Sequence, residues 1–434
     1  MDDKLLSLLV YFRLKNKDRC FLIGLTSVLS LIVLVFLAAN FDLKARLAVS
    51  TELQGHEHMN REDQLYSSDG RCRARTNFVF VKVHKCGSHT TTCILQRFGH
   101  ERDLTFMLPA QDGPNIGYPR FPKTGDYLPS PNGVFNVIAD HIRYKKDIVT
   151  NLMPRDTAYF AILRHPLSHL KSVFNWKKLA GAFRIKAENP VGRFLDTPWY
   201  YKRAYPGIVR YTRNLMAFDM GLDTSYFNRK HPHILNVNFP EQQYGKLPRM
   251  SDVEKAKNIL DLDPQAADML QQYITTIDRD FILVMILEYY DESLVMLRRL
   301  MCWSIKDILY DLDVRNDKPY PYKHMDFTDV QKRNHQRWSA ADYAFYEHFN
   351  STLWKKISSE GPDFYEELDY FKFINKDVNW YCSMKLEITW TIPSSAWNEA
   401  FILNRSFCEW LVLKRWTWDG ILKEKHIQKW WNVK

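Results

Sequence analysis

Short apolar runs recur along the chain, each ending in a polar loop and each followed by residues with helical spacing. Residues 78–84, 134–140, Ala158–Leu163 and Phe281–Leu287 are dominated by Val, Ile, Phe and Leu, without the alternation of a half-exposed strand. A continuous run of this kind predicts a strand buried on both faces. Helical spacing is found at about 89–98, at 167–176 (Leu167, Leu170, Val173 and Phe174 on one face), at 251–262 and 265–276, and after Asp291-Glu292-Ser293, whose acids complement a helix N-terminus. Strand and helix in alternation predict an α/β domain, a central parallel sheet flanked by helices. Ligands of such sheets sit at the carboxyl ends of the strands, where Lys85, His141 and Arg164 all fall.

Elsewhere the pattern changes. Cys20–Ala39 is an uncharged apolar run of the length that crosses a bilayer as a helix, preceded by Arg13, Lys15, Lys17 and Arg19. A cleaved signal peptide is the rival, but the run is long and starts late for one. The expectation is a cytoplasmic tail at 1–19, an N-terminal transmembrane signal anchor at 20–39 and a polar, aperiodic lumenal stem at 40–76, followed by a domain at 77–372. Residues 109–131 are rich in Pro, Gly and Asn, an irregular loop expected to border an acceptor site. The segment 373–434 holds eight of the thirteen tryptophans, interspersed with lysines, and is set apart as an extension of unknown role. Such a segment either binds a glycan or a membrane surface, or adds a packing layer or a loosely ordered tail.

The candidate chemistry is concentrated at two strand ends. In FVFVKVHKCGSHTTT (78–92) a strand runs into a loop with Lys85, Gly87, Ser88, Thr90, Thr91 and Thr92 and then into a helix, surrounding one point with amides, a cation and hydroxyls. That suits a phosphate. Because Lys85 precedes Gly87 rather than following it, the order is not that of an ATPase or GTPase loop. In AYFAILRHPLSHLKSVFNW (158–176) Arg164 stands at a strand's mouth and Ser172 about two helical turns later, so both can converge on one anion.

VKVHKCGSHTT resembles the 5′-phosphosulfate loop, and LRHPLSHLKSVF the 3′-phosphate motif, of sulfotransferases that use 3′-phosphoadenosine 5′-phosphosulfate (PAPS). Segments 95–109, 135–144, 211–223, 281–303 and 348–357 are similar to the galactose 3-O-sulfotransferase family, in consistent order from about Asn77 to about Ile357. The chain departs from the family at Cys86, usually Thr, and at His89, usually a small hydroxyl residue. The resemblance implies a P-loop-like sulfotransferase fold and transfer of a sulfuryl group from PAPS, without a metal, to the 3-hydroxyl of galactose on a glycolipid or glycoprotein glycan. It implies a type II Golgi membrane protein with a lumenal catalytic domain, and a homodimer is left open. Lys82, Lys85, Gly87, Ser88, His89, Thr90, Arg164 and Ser172 would bind the cofactor, with Lys85 at the leaving oxygen.

A general base needs a pKa near the working pH, which favours histidine. His141 and His84 both stand at strand ends; His141 resembles the catalytic position of uronyl 2-O-sulfotransferases and is placed first, with His84 as base or cofactor ligand. Arg143, Lys171, Lys177, Arg210, Arg213 and Asn214 are candidates for acceptor contacts. The formal charge of +10 suits a protein that handles anions, while basic residues are spread along the chain and no nucleic-acid motif occurs. No Cys/His spacing resembles a zinc site. Of the six cysteines beyond residue 39, Cys86 and Cys93 are expected to stay free and Cys72, Cys302, Cys382 and Cys408 to supply the disulfides. Asn350-Ser351-Thr352 and Asn404-Arg405-Ser406 are glycosylation sequons. The rival functions are a uronyl 2-O-type Golgi sulfotransferase and a non-catalytic, membrane-anchored glycan-binding protein.

Overall fold

A computed structural model of the chain describes residues 72–224, 264–313, 320–385 and 387–433. Its strands β1 (Phe78–Val81), β2 (Val137–Ile138), β3 (Ala158–Leu163) and β4 (Leu283–Ile286) form one sheet in the order β2-β1-β3-β4, with every neighbouring pair parallel. Phe78 lies opposite Ala158 and Phe160 opposite Leu283. The chain leaves β1 for one side of the sheet and returns to the other, so the topological switch point lies between the carboxyl ends of β1 and β3. All four residues of β1 are fully buried, as the unbroken apolar run requires. Phe80 and Phe160 pack across the strand pair at 5.4 Å, and burying each such ring stabilises the fold by roughly 1.5–3 kcal/mol.

Three expected strands are shorter than their apolar runs, β4 among them, because the chain turns into a short 3-10 helix at Leu287–Tyr289. β1 stops at Val81 because the chain turns out of the sheet, with Lys85 at φ 61° and Gly87 at φ 72°, both left-handed. At the sheet edge only Val137 and Ile138 pair with β1, and Asn136 and Val137 instead donate their amides to Thr105 O.

The longer helices are α1 (Ser88–Glu101), α2 (Pro166–Trp176), α3 (Pro264–Asp280), α4 (Tyr290–Met301), α5 (Asp329–Trp338), α6 (Ala340–Ser359), α7 (Asp363–Ser383), α8 (Arg405–Val412) and α9 (Arg415–Val433). α2 opens with Pro166 at its first position, where a missing N–H costs nothing. α4 begins at Tyr290 with Asp291 and Glu292 in its first turn, as the acidic pattern predicts. The predicted helix at 265–276 extends over all of α3, whereas 251–262 lies outside the described residues.

The tryptophan-rich segment is a packing layer. A hairpin of β5 (Trp390–Ile392) and β6 (Phe401–Leu403) leads into α8, and α9 lies along α1. Trp418 is fully buried there, Gln96 Nε2 donates to Asp419 Oδ1 at 2.7 Å, and Lys425 and Lys429 pair with Asp103 at 2.7 and 3.0 Å. A Cys382–Cys408 disulfide ties α7 to α8, Cys72 and Cys302 are also disulfide-bonded, and Cys86 and Cys93 are free thiols. Asn350 falls inside α6 with its Oδ1 enclosed, whereas exposed Asn404 caps α8 by accepting the Phe407 N–H.

The expected anchor at 20–39 and nearly all of the stem lie outside the described residues. Among the described residues no helix is long and apolar enough to cross a membrane. The chain divides into two units, Met1–Arg73 and Ala74–Lys434, and the sheet belongs wholly to the second.

Candidate active site

The loop after β1 is held by two hydroxyls that donate to backbone carbonyls. Ser88 Oγ donates to Val83 O at 2.9 Å and Thr92 Oγ1 to Ser88 O at 2.7 Å, which pins the first turn of α1 against the strand end. Gly87 precedes α1 in the left-handed region, and a Cβ added there would stand 2.4 Å from Leu287 Cδ1. No side chain caps α1 and its first turn carries no acid, so the positive end of the helix is left for a ligand.

A cleft of ≈ 960 Å³ opens at this point, over the switch point of the sheet. Lys82, His84, Lys85, Gly87, Ser88, His89, Thr90, His141, Arg164 and Ser172 all line it. Arg164, at the end of β3, donates from Nη1 to Lys85 O at 3.3 Å, which ties the two strand-end loops together. Lys82 is almost wholly enclosed, yet its Nζ has no hydrogen-bond partner among the described residues. Burial lowers its pKa to about 8, against the opposing pull of Asp140. Burial, followed by the positive field of Lys82, Arg415, Lys85 and Lys414, pushes His89 down to about 4. His89 is therefore neutral at pH 7 and adds no charge to the loop. The buried Cys86 thiol is pushed well up by burial and stays protonated.

The two histidines stack on each other, with ring centroids 3.9 Å apart and planes 10° from parallel. His84 donates its backbone N–H and its Nδ1–H to the same oxygen of Asp219, each at 2.8 Å. Asp219 is fully buried at the end of the short helix Leu215–Asp219. His141 donates Nδ1–H to Lys82 O at 2.9 Å. Each neutral ring thus keeps its lone pair on Nε2. The environments differ, because a carboxylate faces His84, whereas burial, then His84 and Lys82, hold the pKa of His141 well below its ordinary value. His169, from α2, donates Nε2–H to His84 O at 2.9 Å and fixes the loop from the other side.

Residues 5–239 and 256–383 match the galactose-3-O-sulfotransferase family. The chain belongs to that family. It is 31% identical over 303 residues to human galactosylceramide sulfotransferase, covering 68% of this chain and 61% of the relative. To pig galactose-3-O-sulfotransferase 2 it is 32% identical over 296 residues (66% and 63%), and to human galactose-3-O-sulfotransferase 4 it is 28% identical over 328 residues (67% and 66%). The chain therefore spans less than two thirds of the length of each of these galactose-3-O-sulfotransferase relatives. The loop after β1, both stacked histidines, Arg164, Ser172 and Asp219 lie inside the family match, and residues 384–434 lie beyond it.

Several residues of the cleft escape sequence reasoning. Asp219 stands in the family-like segment 211–223, but nothing local there announces a partner for His84. Trp176, Tyr118 and Tyr211 supply an aromatic wall: Trp176 stacks beside His84 at 5.2 Å, and Lys177 Nζ lies 3.8 Å from the Trp176 ring centroid and 4.2 Å from that of Tyr211. Pro114, Asn115, Tyr118 and Pro119 bring the irregular 109–131 loop to the cleft. Of the candidates for acceptor contacts only Lys177 lines it. Lys171 donates to the carbonyls of Lys323 and Met325, Arg213 Nε donates to Trp338 O, and Asn214 Oδ1 accepts the Ala341 amide. Among the described residues no His/Cys/Asp/Glu group suited to a metal ion occurs.

Proposed function

We propose that this protein transfers a sulfuryl group from PAPS to the 3-hydroxyl of a galactose residue on a glycolipid or glycoprotein glycan. The observation that carries this reading is the Asp219–His84 pair set beside an uncapped helix N-terminus and an unpartnered buried ammonium. An adenosine bisphosphate with a sulfonate fits that donor set: the α1 amides, Ser88 N–H among them, with the Thr90 hydroxyl for the 5′ phosphate, and Arg164 with Ser172 for the 3′ phosphate. Lys82 and Lys85 supply cations for the sulfonate and the departing oxygen. PAPS, when bound, supplies the sulfuryl group.

The chain's own residues do the rest. Trp176 and Tyr211 offer faces on which the apolar side of a sugar ring stacks, next to His84. His84 Nε2 takes the proton of the acceptor hydroxyl, and the Asp219 carboxylate stabilises the imidazolium that results. Lys85 stabilises charge on the departing oxygen through a cationic hydrogen bond. His141 packs flat on His84 and keeps its ring from turning.

The test is incubation with labelled PAPS and a panel of β-galactosides, followed by linkage analysis. Label on galactose O3 is expected. Label on another sugar position, or none from a protein that binds adenosine 3′,5′-bisphosphate, overturns the reading. We also infer a type II Golgi anchor with the domain in the lumen, supported by the apolar run 20–39 with its basic flank and by the Cys382–Cys408 disulfide, which suits an oxidising compartment. Detergent-free fractionation and glycosidase sensitivity at Asn404 check it; a soluble, unglycosylated protein would contradict it.

A further inference from the structure

The C-terminal layer reaches the cleft. Arg415, the first residue of α9, lines it, although residues 384–434 lie beyond the family match. Its Nη1 pairs with Asp140 Oδ1 at 3.0 Å and with Asp419 Oδ2 at 2.8 Å, and its side chain is only 12% exposed. Asp140 is itself buried, next to His141, and its charge acts on Lys82. Lys82 Nζ nevertheless makes no hydrogen bond among the described residues.

A buried ammonium beside a buried carboxylate ordinarily forms an ion pair, because each is costly to bury alone. Here Asp140 is engaged by the guanidinium instead. We propose that Arg415 is a positioning residue for the donor site: by holding Asp140 it keeps Lys82 unpaired and available to the anionic end of the sulfuryl donor. The inference rests on the donor reading above. It gives the segment beyond the family match a part in the site, since Gln96–Asp419, Lys425 and Lys429 with Asp103, and the Cys382–Cys408 disulfide hold α9 in place to present Arg415. Arg415 acts through Asp140, so its loss is repaired by removing the Asp140 charge; a guanidinium that touched the ligand directly could not be replaced in that way.

The test is calorimetric titration of adenosine 3′,5′-bisphosphate and of PAPS into the unaltered protein, Arg415→Ala, Arg415→Lys, Asp140→Asn and Arg415→Ala/Asp140→Asn, each checked for folding by thermal unfolding. Arg415→Ala is expected to weaken PAPS binding by about tenfold, the scale of one lost charge contact. Arg415→Lys retains affinity within about threefold, and the double variant regains most of the loss. Should Arg415→Ala fail to fold, Arg415→Lys and the double variant carry the comparison. Unchanged affinity in folded Arg415→Ala, or a loss that Asp140→Asn does not restore, overturns the inference while leaving the donor reading intact. No binding by the unaltered protein overturns both.

Discussion

One oxygen of Asp219 accepts both the backbone N–H and the Nδ1–H of His84, each at 2.8 Å. The paired donation fixes ring and backbone together and leaves Nε2 as the only basic atom of the imidazole. Asp219→Asn removes the charge that stabilises a protonated His84 while keeping the side chain's size. It is expected to lower kcat by about two orders of magnitude or more with adenosine bisphosphate affinity unchanged, as rapid-quench turnover and calorimetry together would show.

The ordering of the two histidines follows from the same contact. His84→Ala should lower kcat by about two to four orders of magnitude, and His141→Ala by no more than about tenfold. If His141→Ala is the more damaging while His84→Ala keeps turning over, the order is the reverse. Residue type and strand-end position do not separate the two, and the resemblance to uronyl 2-O-sulfotransferases places His141 first; Asp219, 135 residues from His84 in sequence, favours His84 instead.

The contrast shows what local sequence carries. That Lys85, Gly87 and Arg164 would meet at one cleft is legible because each sits within a few residues of an apolar run's end, and Ser172 follows two turns into the helix that Arg164 leads, so strand-turn-helix geometry is set by the segment itself. Ala158–Leu163 matched its strand to the residue, since a central strand has a neighbour on either side and no reason to fray. Asp219 reaches His84, and Arg415 the cleft, only through tertiary packing, and nothing beside them in sequence marks the destination. Residues 134–140 misled in the same way, because an edge strand's length depends on what pairs with it.

Lys82 gives the donor site a pH dependence. Its ammonium is lowered to about 8 by burial, so it is charged at pH 7 and loses its proton as pH rises through that value. Affinity for PAPS should therefore fall between about pH 7 and 9, and binding above pH 8 should take up a proton, because a bound anion favours the charged form. Calorimetry in buffers of different ionisation enthalpy measures that uptake, and in Lys82→Met it should vanish.

Arg164 links the two strand-end loops through Lys85 O and is the cation proposed for the 3′ phosphate. Arg164→Ala is expected to weaken adenosine 3′,5′-bisphosphate by about 2–3 kcal/mol and to leave adenosine 5′-phosphate much less affected. An equal loss for both ligands would instead assign the arginine to the 5′ side or to the loop's shape.

The Cys382–Cys408 bond closes a segment of 26 residues. The chain-entropy treatment gives roughly 3.5 kcal/mol for a loop of that size. Cys408→Ser should accordingly lower the thermal midpoint, and because α8 and α9 are what the bond restrains, protease cleavage should begin beyond Ser383.

Since Arg415 of α9 lines the cleft, the order of synthesis acquires meaning. The loop at Lys85 emerges from the ribosome long before Arg415, and the sheet that carries it can form while the cleft still lacks one side. An intermediate of that kind has α1 uncovered along the face where Trp418 belongs, beside His100, until the last helices pack and the Cys382–Cys408 bond holds them. Completing the cleft and covering α1 then become one event, so that a chain truncated before Arg415 would lose a cleft residue and the cover of α1 together.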